Sequence, residues 1–336
     1  MPVLMIGTQR SGSNLLRLML NQIEQLAAPH PPHILKRMMP LQGCYGDLSS
    51  NEAFANLVDD VCRLVELNPV AWDGVTLDRQ DVASRCRAHS TVAVFNAVYD
   101  ILAETWGADT WICKSLANVH YLDEMDEYIE GAKYLYLYRD GRDVACSFRK
   151  AVVGEKHFYH IAKGWANAQQ KALDMREKVS SDRFFSVSYE QLTGETEATL
   201  KRLCAFLGYE YTSKMLEFNQ SAEANRTAKS SSLWGNVTQG LMTDNTRKFL
   251  KKASAEDIRI FEAVAGKQLQ TLGYELTQLE PNETVEFSEA EVAAFSEENE
   301  RLKAERQESM DAEDRERRER QASLLAEIEA RQPALV

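Results

Sequence analysis

Val3-Leu4-Met5-Ile6-Gly7-Thr8-Gln9-Arg10-Ser11-Gly12-Ser13-Asn14 begins as a strand and ends as a helix. The apolar run Val3 to Ile6 suits a strand buried on both faces of a parallel sheet, and Gly7 ends it. From Ser13 to about Leu26 the residues Leu15, Leu16, Met19, Leu20 and Ile23 recur at three- and four-residue steps, which predicts a helix with one buried face. The loop between them lies where backbone N–H groups and the helix dipole make an anion site. It has the G-x-x-x-x-G frame of a phosphate loop, but the Lys-Ser/Thr that should follow is Ser13-Asn14. The lysine that reaches a γ-phosphate is therefore missing, and the loop's cation is Arg10.

Working outward, Trp111-Ile112-Cys113, Lys133 to Tyr138 and Phe184 to Ser188 read as further strands, rich in β-formers and bounded by turn residues. Helical patterns separate them at about Asn118 to Tyr128, Asp143 to Lys150, His157 to Val179 and Glu195 to Leu207. This βαβα order predicts an α/β fold, a phosphate-loop NTPase-like three-layer architecture with a mostly parallel central sheet. Residues 41–110 read as a helical insertion over the sheet, with Ser90 as the N-cap of a helix ending near Trp106-Gly107. The expected organisation is one catalytic-sized domain over 1–279 and a charged helical extension over 280–336.

That extension carries most of the charge. The chain of 336 residues has a formal charge of −12, and residues 280–336 hold 17 acidic against 8 basic side chains. The remainder is nearly balanced, 34 acidic to 31 basic, so a broad basic surface for nucleic acid is excluded while a small anionic ligand is not. Ser288-Glu289-Ala290-Glu291 is a capping-box start, and acid-to-base pairs such as Glu297/Arg301 and Asp314/Arg318 recur at i, i+4. One long solvated or loosely docked helix is expected, in preference to a coiled coil, because Phe295 and Leu302 do not continue into an apolar seam. A homo-oligomer, if formed, would use this helix. Six scattered cysteines show no metal or disulfide spacing, no apolar run is long enough to span a membrane, and no signal peptide is legible, so a cytoplasmic protein is expected.

Arg10-Ser11-Gly12-Ser13 resembles the 5′-phosphosulfate loop of sulfotransferases that use 3′-phosphoadenosine 5′-phosphosulfate (PAPS), in the Arg-Ser-Gly form of tyrosylprotein and many bacterial members. Tyr138-Arg139-Asp140-Gly141-Arg142-Asp143-Val144-Ala145-Cys146-Ser147 is similar to the family's 3′-phosphate segment. An arginine at a strand end and a serine two turns into the next helix can both point at one phosphate. The resemblance covers roughly residues 3–276. It implies metal-independent transfer of a sulfuryl group from PAPS to a hydroxyl or amine of a small-molecule, lipid or carbohydrate acceptor.

The same resemblance assigns Arg10, Ser11, Gly12, Ser13 and Asn14 to the 5′ end of the nucleotide and Arg139 and Ser147 to its 3′-phosphate. Tyr189, in Val187-Ser188-Tyr189-Glu190, matches a tyrosine that lies against adenine. Arg247 and Lys248 fall in a segment similar to the loop that closes over the nucleotide, although the G-x-x-G-x-x-K form is absent. Lys114 matches a strand-end lysine that shares the leaving-group charge with Arg10. In tyrosylprotein-type members a glutamate some way after the loop arginine serves as general base, and the resemblance implies that role for His30, which stands at that spacing, with His33 as runner-up; a histidine of unperturbed pKa about 6.5 is largely neutral near pH 7. Two rivals stand beside this reading: a nucleotide kinase or NTPase, and a catalytically idle scaffold.

Overall fold

The computed structural model describes residues 1–230, 235, 237–242, 245–280 and 283–331. Strand β1 (Val3–Gly7) runs into helix α1 (Ser13–Leu20), then a two-residue strand β2 (Leu26–Ala27) and helix α2 (Ile34–Met38). The insertion follows as a 3₁₀ turn at Met39–Tyr45 and helices α3 (Asn51–Glu66), α4 (Arg79–Arg85) and α5 (Thr91–Thr105), ending at β3 (Thr110–Cys113). Ser90 caps α5, its Oγ accepting from the Ala93 N–H at 3.1 Å. Next come α6 (Leu122–Tyr128), β4 (Lys133–Tyr138), α7 (Gly141–Phe148), α8 (Phe158–Lys178), β5 (Phe184–Ser188), α9 (Tyr189–Gly194), α10 (Thr196–Leu207), α11 (Ala222–Ser230), α12 (Phe249–Lys252) and α13 (Ala255–Thr271). Two helices close the chain, α14 (Glu289–Glu308) and α15 (Ala312–Ala330).

The five strands are all parallel, in the order β2-β3-β1-β4-β5. Strand alternation sorts the core into two layers. Val3, Met5, Ile112, Leu135 and Leu137 pack with Leu16, Met19, Leu200 and Leu203 from α1 and α10. Leu4, Ile6, Trp111, Tyr134 and Tyr136 face the other way, onto α5 and α8. Both faces are buried, as a parallel sheet between two helical layers requires. All six cysteines are free, and among the described residues no helix is long and apolar enough to cross a membrane.

Two expectations are corrected. The first helix stops at Leu20 instead of continuing to about Leu26, because the chain turns at Asn21 and its next residues form β2. Ile23 continues the helical spacing yet is buried in the turn, which is why periodicity overran the boundary. The tail, expected as one long helix, solvated or loosely docked, is two helices, and both are docked. It breaks at Ser309–Asp311, where Asp311 caps α15 by accepting from Glu313 and Asp314 N–H groups. Leu324 and Ile328 of α15 enter the main core, while Asn299 of α14 is buried, its Oδ1 accepting from the N–H groups of Lys156 and His157 at 2.8 and 3.0 Å. Of the charge pairs expected in the tail, Asp314/Arg318 forms at 3.1 Å, whereas Arg301 pairs with Glu305 and Glu298 in place of Glu297.

Candidate functional site

The loop after β1 is held open by glycine and by contacts from α8. Gly7 has φ 132°, and a Cβ there would sit 2.2 Å from the Leu137 carbonyl oxygen, so β4 can approach β1 only with glycine in place. Gln169 fixes the loop's first residue, donating from Nε2 to Thr8 Oγ1 at 2.6 Å while its Oε1 accepts from Tyr136 at 2.5 Å. Arg10 and Gly12 both take left-handed backbone conformations, φ 71° and 90°, and α1 starts at Ser13 with no side-chain cap. The N–H groups of its first turn are thus left for a ligand.

Arg10 reaches across to the second motif. Its Nε donates to Ser147 Oγ at 3.0 Å, although 137 positions separate them. Arg139, from the end of β4, donates to the Arg10 carbonyl at 3.2 Å and to the Asn245 carbonyl, and its guanidinium lies 4.3 Å from the centre of the Tyr189 ring. Tyr189 opens α9 and packs so tightly on the loop that a Cβ on Gly12 would come within 2.5 Å of its ring. Its hydroxyl accepts from Asn245 Nδ2 at 2.9 Å. Asp143, one turn beyond Arg139, lies 3.6 Å from that guanidinium and accepts from the Phe249 N–H at 2.9 Å, which ties the C-terminal segment to α7.

These groups surround a cleft of about 470 Å³, lined among others by Arg10, Gly12, Ser13, Asn14, Arg139, Ser147, Tyr189 and Lys248. Lys150 and Lys252 add charge at its wall, against Asp143 as the acidic lining residue among the described residues. Burial and the neighbouring Arg139 lower the Arg10 guanidinium from its usual value, a cost that a bound anion would relieve. Arg139 Nε and the side-chain oxygens of Ser11 and Asn14 are buried without a hydrogen-bond partner among the described residues. Uncapped N–H groups, two like-charged guanidinia and an orphaned buried donor fit a polyanionic ligand.

Lys114 and His30 do not line this cleft. Strand order puts them on the other side of β1, Lys114 at the end of β3 and His30 three residues beyond β2. The carboxyl ends of successive strands therefore present His30, Lys114, the Arg10 loop, Arg139 and Tyr189 along one edge, where ligands of open α/β sheets bind. Burial, with Arg17 and Arg10 as neighbouring cations, lowers the Lys114 ammonium to about 7. His30 is held well below 6.5 by burial and by Lys114, Arg17 and His33, so its imidazole is neutral at pH 7. His33, at φ 60°, places Nδ1 2.9 Å from Ser115 Oγ, and burial likewise holds its ring well below 6.5. Arg247 has φ 54° and is not among the cleft-lining residues.

Lys150 and Lys252 were not singled out in the sequence, and Asp143 and Asn245, though inside quoted segments, were given no role, since the contacts that tie them to the site, Asp143 to the Phe249 N–H and Asn245 to the Tyr189 hydroxyl, lie far along the chain. Arg17 was missed for the same reason. It sits fully buried in α1, paired with Glu223 at 2.7 Å and donating to the Ala28 carbonyl at 2.9 Å and Thr227 Oγ1 at 2.8 Å. A charge inside the apolar run Leu15 to Leu20 was its one sequence signal.

The Sulfotransferase family profile matches residues 2–213 of this chain. Protein-tyrosine sulfotransferase A of Caenorhabditis elegans is 25% identical over 219 residues, 64% of this chain and 51% of that protein. The chain thus spans about half the length of that curated relative. Among solved structures, the sulfotransferase domain of the Synechococcus PCC 7002 olefin synthase is similar with a TM-score of 0.54 and 22% identity, covering 82% of this chain and 96% of that one. The sulfotransferase domain of the curacin biosynthetic pathway gives 0.56 and 20%, covering 82% and 98%. Both share the fold of this chain. With the family match spanning β1 through α10 and the Arg10 and Arg139 motifs meeting in one cleft, the chain belongs to the sulfotransferase family.

Proposed function

We propose that the protein transfers a sulfuryl group from PAPS to a hydroxyl or amine of a small-molecule, lipid or carbohydrate acceptor, releasing adenosine 3′,5′-bisphosphate. The observation that carries this reading is the 3.0 Å bond from Arg10 to Ser147, which draws two anion-binding motifs into one cleft. PAPS supplies, when bound, an activated sulfuryl group on a phosphate leaving group. Arg10, Ser11, Gly12, Ser13 and Asn14 bind its 5′ end, Arg139 and Ser147 its 3′-phosphate, and Tyr189 lies against adenine. Lys248 adds charge over the same ligand.

Arg10 and Lys114 meet the negative charge that grows on the leaving oxygen, the kind of preorganised stabilisation that dominates transfer of such groups. Lys114, lowered to about 7, takes up a proton readily as an anion approaches. His30 is neutral and accepts the acceptor's proton, with His33 behind it on Ser115. Incubation with ³⁵S-labelled PAPS and a cell extract, followed by mass spectrometry of the labelled species, tests the reading. A labelled acceptor is expected. Mg-ATP hydrolysis with no affinity for PAPS would overturn it in favour of an NTPase.

A further inference from the structure

The connection from α7 to α8, residues 149–157, belongs to the cleft at one end and to the tail at the other. Ser147, just before it, accepts from Arg10 at 3.0 Å, and Lys150 and Ala151 line the cleft. From Lys150 to His157 the chain forms neither helix nor strand, so its buried N–H groups need partners from elsewhere. The tail supplies them. Asn299 Oδ1 accepts from the Lys156 and His157 N–H groups at 2.8 and 3.0 Å, and its Nδ2 donates to Glu155 Oε2. Phe295, one turn earlier, stacks on the His157 ring with centroids 4.6 Å apart. Arg306, two turns later, donates from Nε to the Arg149 carbonyl at 3.1 Å.

Among the described residues of α14 only Asn299 is buried. A helix docked for stability alone would bury an apolar side chain there, because an amide gives up water for each bond it makes. Asn299 instead meets three groups of this one connection, and the contacts continue towards the cleft. Lys156 Nζ donates to the Val153 carbonyl at 2.9 Å and to the Gly154 carbonyl, which folds the chain back on itself. Gly154, at φ 76°, lies so close to Phe148 that a Cβ there would come within 2.5 Å of its ring. Phe148 is the neighbour of Ser147. Arg149, for its part, is held by Asp257 of α13 at 2.8 and 2.9 Å. The near end of the connection is thus anchored by α13 and the far end by α14, with the cleft wall between them.

We propose that α14, which lies beyond the family match ending at residue 213, sets this wall, and that Asn299 is a positioning residue for nucleotide capture. This rests on the sulfotransferase reading above, in which the cleft holds PAPS. Asn299 acts through the placement of Lys150 and Ser147, and a displacement of about 1 Å in a group that holds a ligand can cost about 100-fold.

The test is calorimetric titration of the full chain with adenosine 3′,5′-bisphosphate. Asn299→Ala leaves two buried N–H groups unpaired and should weaken binding about tenfold, and Arg306→Ala, at an exposed position, about threefold. Asn299→Asp combined with Glu155→Gln keeps every one of these hydrogen bonds, with donor and acceptor reversed between the two side chains. That pair should bind within about twofold of the wild type. Lys150→Ser removes the charge that the wall presents, so in its background Asn299→Ala should cost less than about threefold. Should Asn299→Ala fail to fold, Arg306→Ala and the reversed pair carry the test. Unchanged affinity in the single variants, a reversed pair as weak as Asn299→Ala, or a full tenfold loss in the Lys150→Ser background overturns the proposal while leaving the sulfotransferase reading intact. No binding of adenosine 3′,5′-bisphosphate by the wild type overturns that reading itself.

Discussion

Arg139 touches three parts of the site at once: the Arg10 carbonyl, the Asn245 carbonyl and the Tyr189 ring. Hydrogen bonds to a charged group contribute about 1.5–3 kcal/mol, so Arg139→Ala should weaken adenosine 3′,5′-bisphosphate by about 10- to 100-fold in calorimetric titration. Adenosine 5′-monophosphate should be far less affected; equal losses would remove Arg139 from the 3′-phosphate. Lys114 gives a second residue-scale prediction. Its folded pKa of about 7 lies below the unfolded value near 10.4, so the folded chain binds fewer protons between these limits. The penalty on stability is full below about pH 7 and is relieved as pH rises towards 10.4. An anionic nucleotide favours the charged form, so binding at pH 8 should take up a proton, seen as a heat that depends on the buffer's ionisation enthalpy. Lys114→Met should abolish that dependence, and equal heats in all buffers for the wild type would place Lys114 away from the nucleotide. Arg10, Arg139 and Ser147 were legible because each belongs to a contiguous motif. Asn245 and Arg17 were not, since what defines them is a partner 56 or 206 positions away, and Asp143, although inside the Arg139 motif, gains its second role only through the Phe249 N–H 106 positions on.

At the scale of elements, β1 and β4 could be read because a strand buried on both faces is an uninterrupted apolar or aromatic run with turn residues at its ends, and β5, an edge strand with Ser186 exposed, from its β-forming residues. β2 could not, for a two-residue strand has no period. Its position matters, because it carries His30 to the strand edge beside Lys114. The tail was legible as helix from its capping box and charge pairs, and Ser288 does cap α14 by accepting from Glu291 N–H at 3.3 Å. Its docking was hidden because it rests on only two core apolar residues, Leu324 and Ile328, and on polar partners far along the chain, Gln321 with the Leu64 carbonyl and Arg331 with Asp60. Ile328→Ala should therefore cost about 2–5 kcal/mol in chemical denaturation, as for other buried aliphatic side chains. An undocked helix would show no change.

Across the whole molecule, the formal charge of −12 gives no guide to the cleft, where Arg10, Arg139, Lys150, Lys248 and Lys252 meet one acidic lining residue among the described residues, Asp143. Lys150, set against Lys252 and Lys248, is lowered from its usual value chiefly by Lys252. Salt shortens the Debye length from about 30 Å at 0.01 M to about 3 Å at 1 M. Affinity for adenosine 3′,5′-bisphosphate should fall steadily across that range, and Lys150→Ser should flatten the slope in a titration series. A salt-independent affinity would show that the lysines play no part in capture.

The parallel order β2-β3-β1-β4-β5 has a consequence for how such a protein can diversify. In the proposed reading the groups that meet the nucleotide hang from β1, β4 and β5, whereas His30 and Lys114 hang from β2 and β3. A lineage could exchange what it modifies by editing one half of the strand edge, and inherit the other half unaltered.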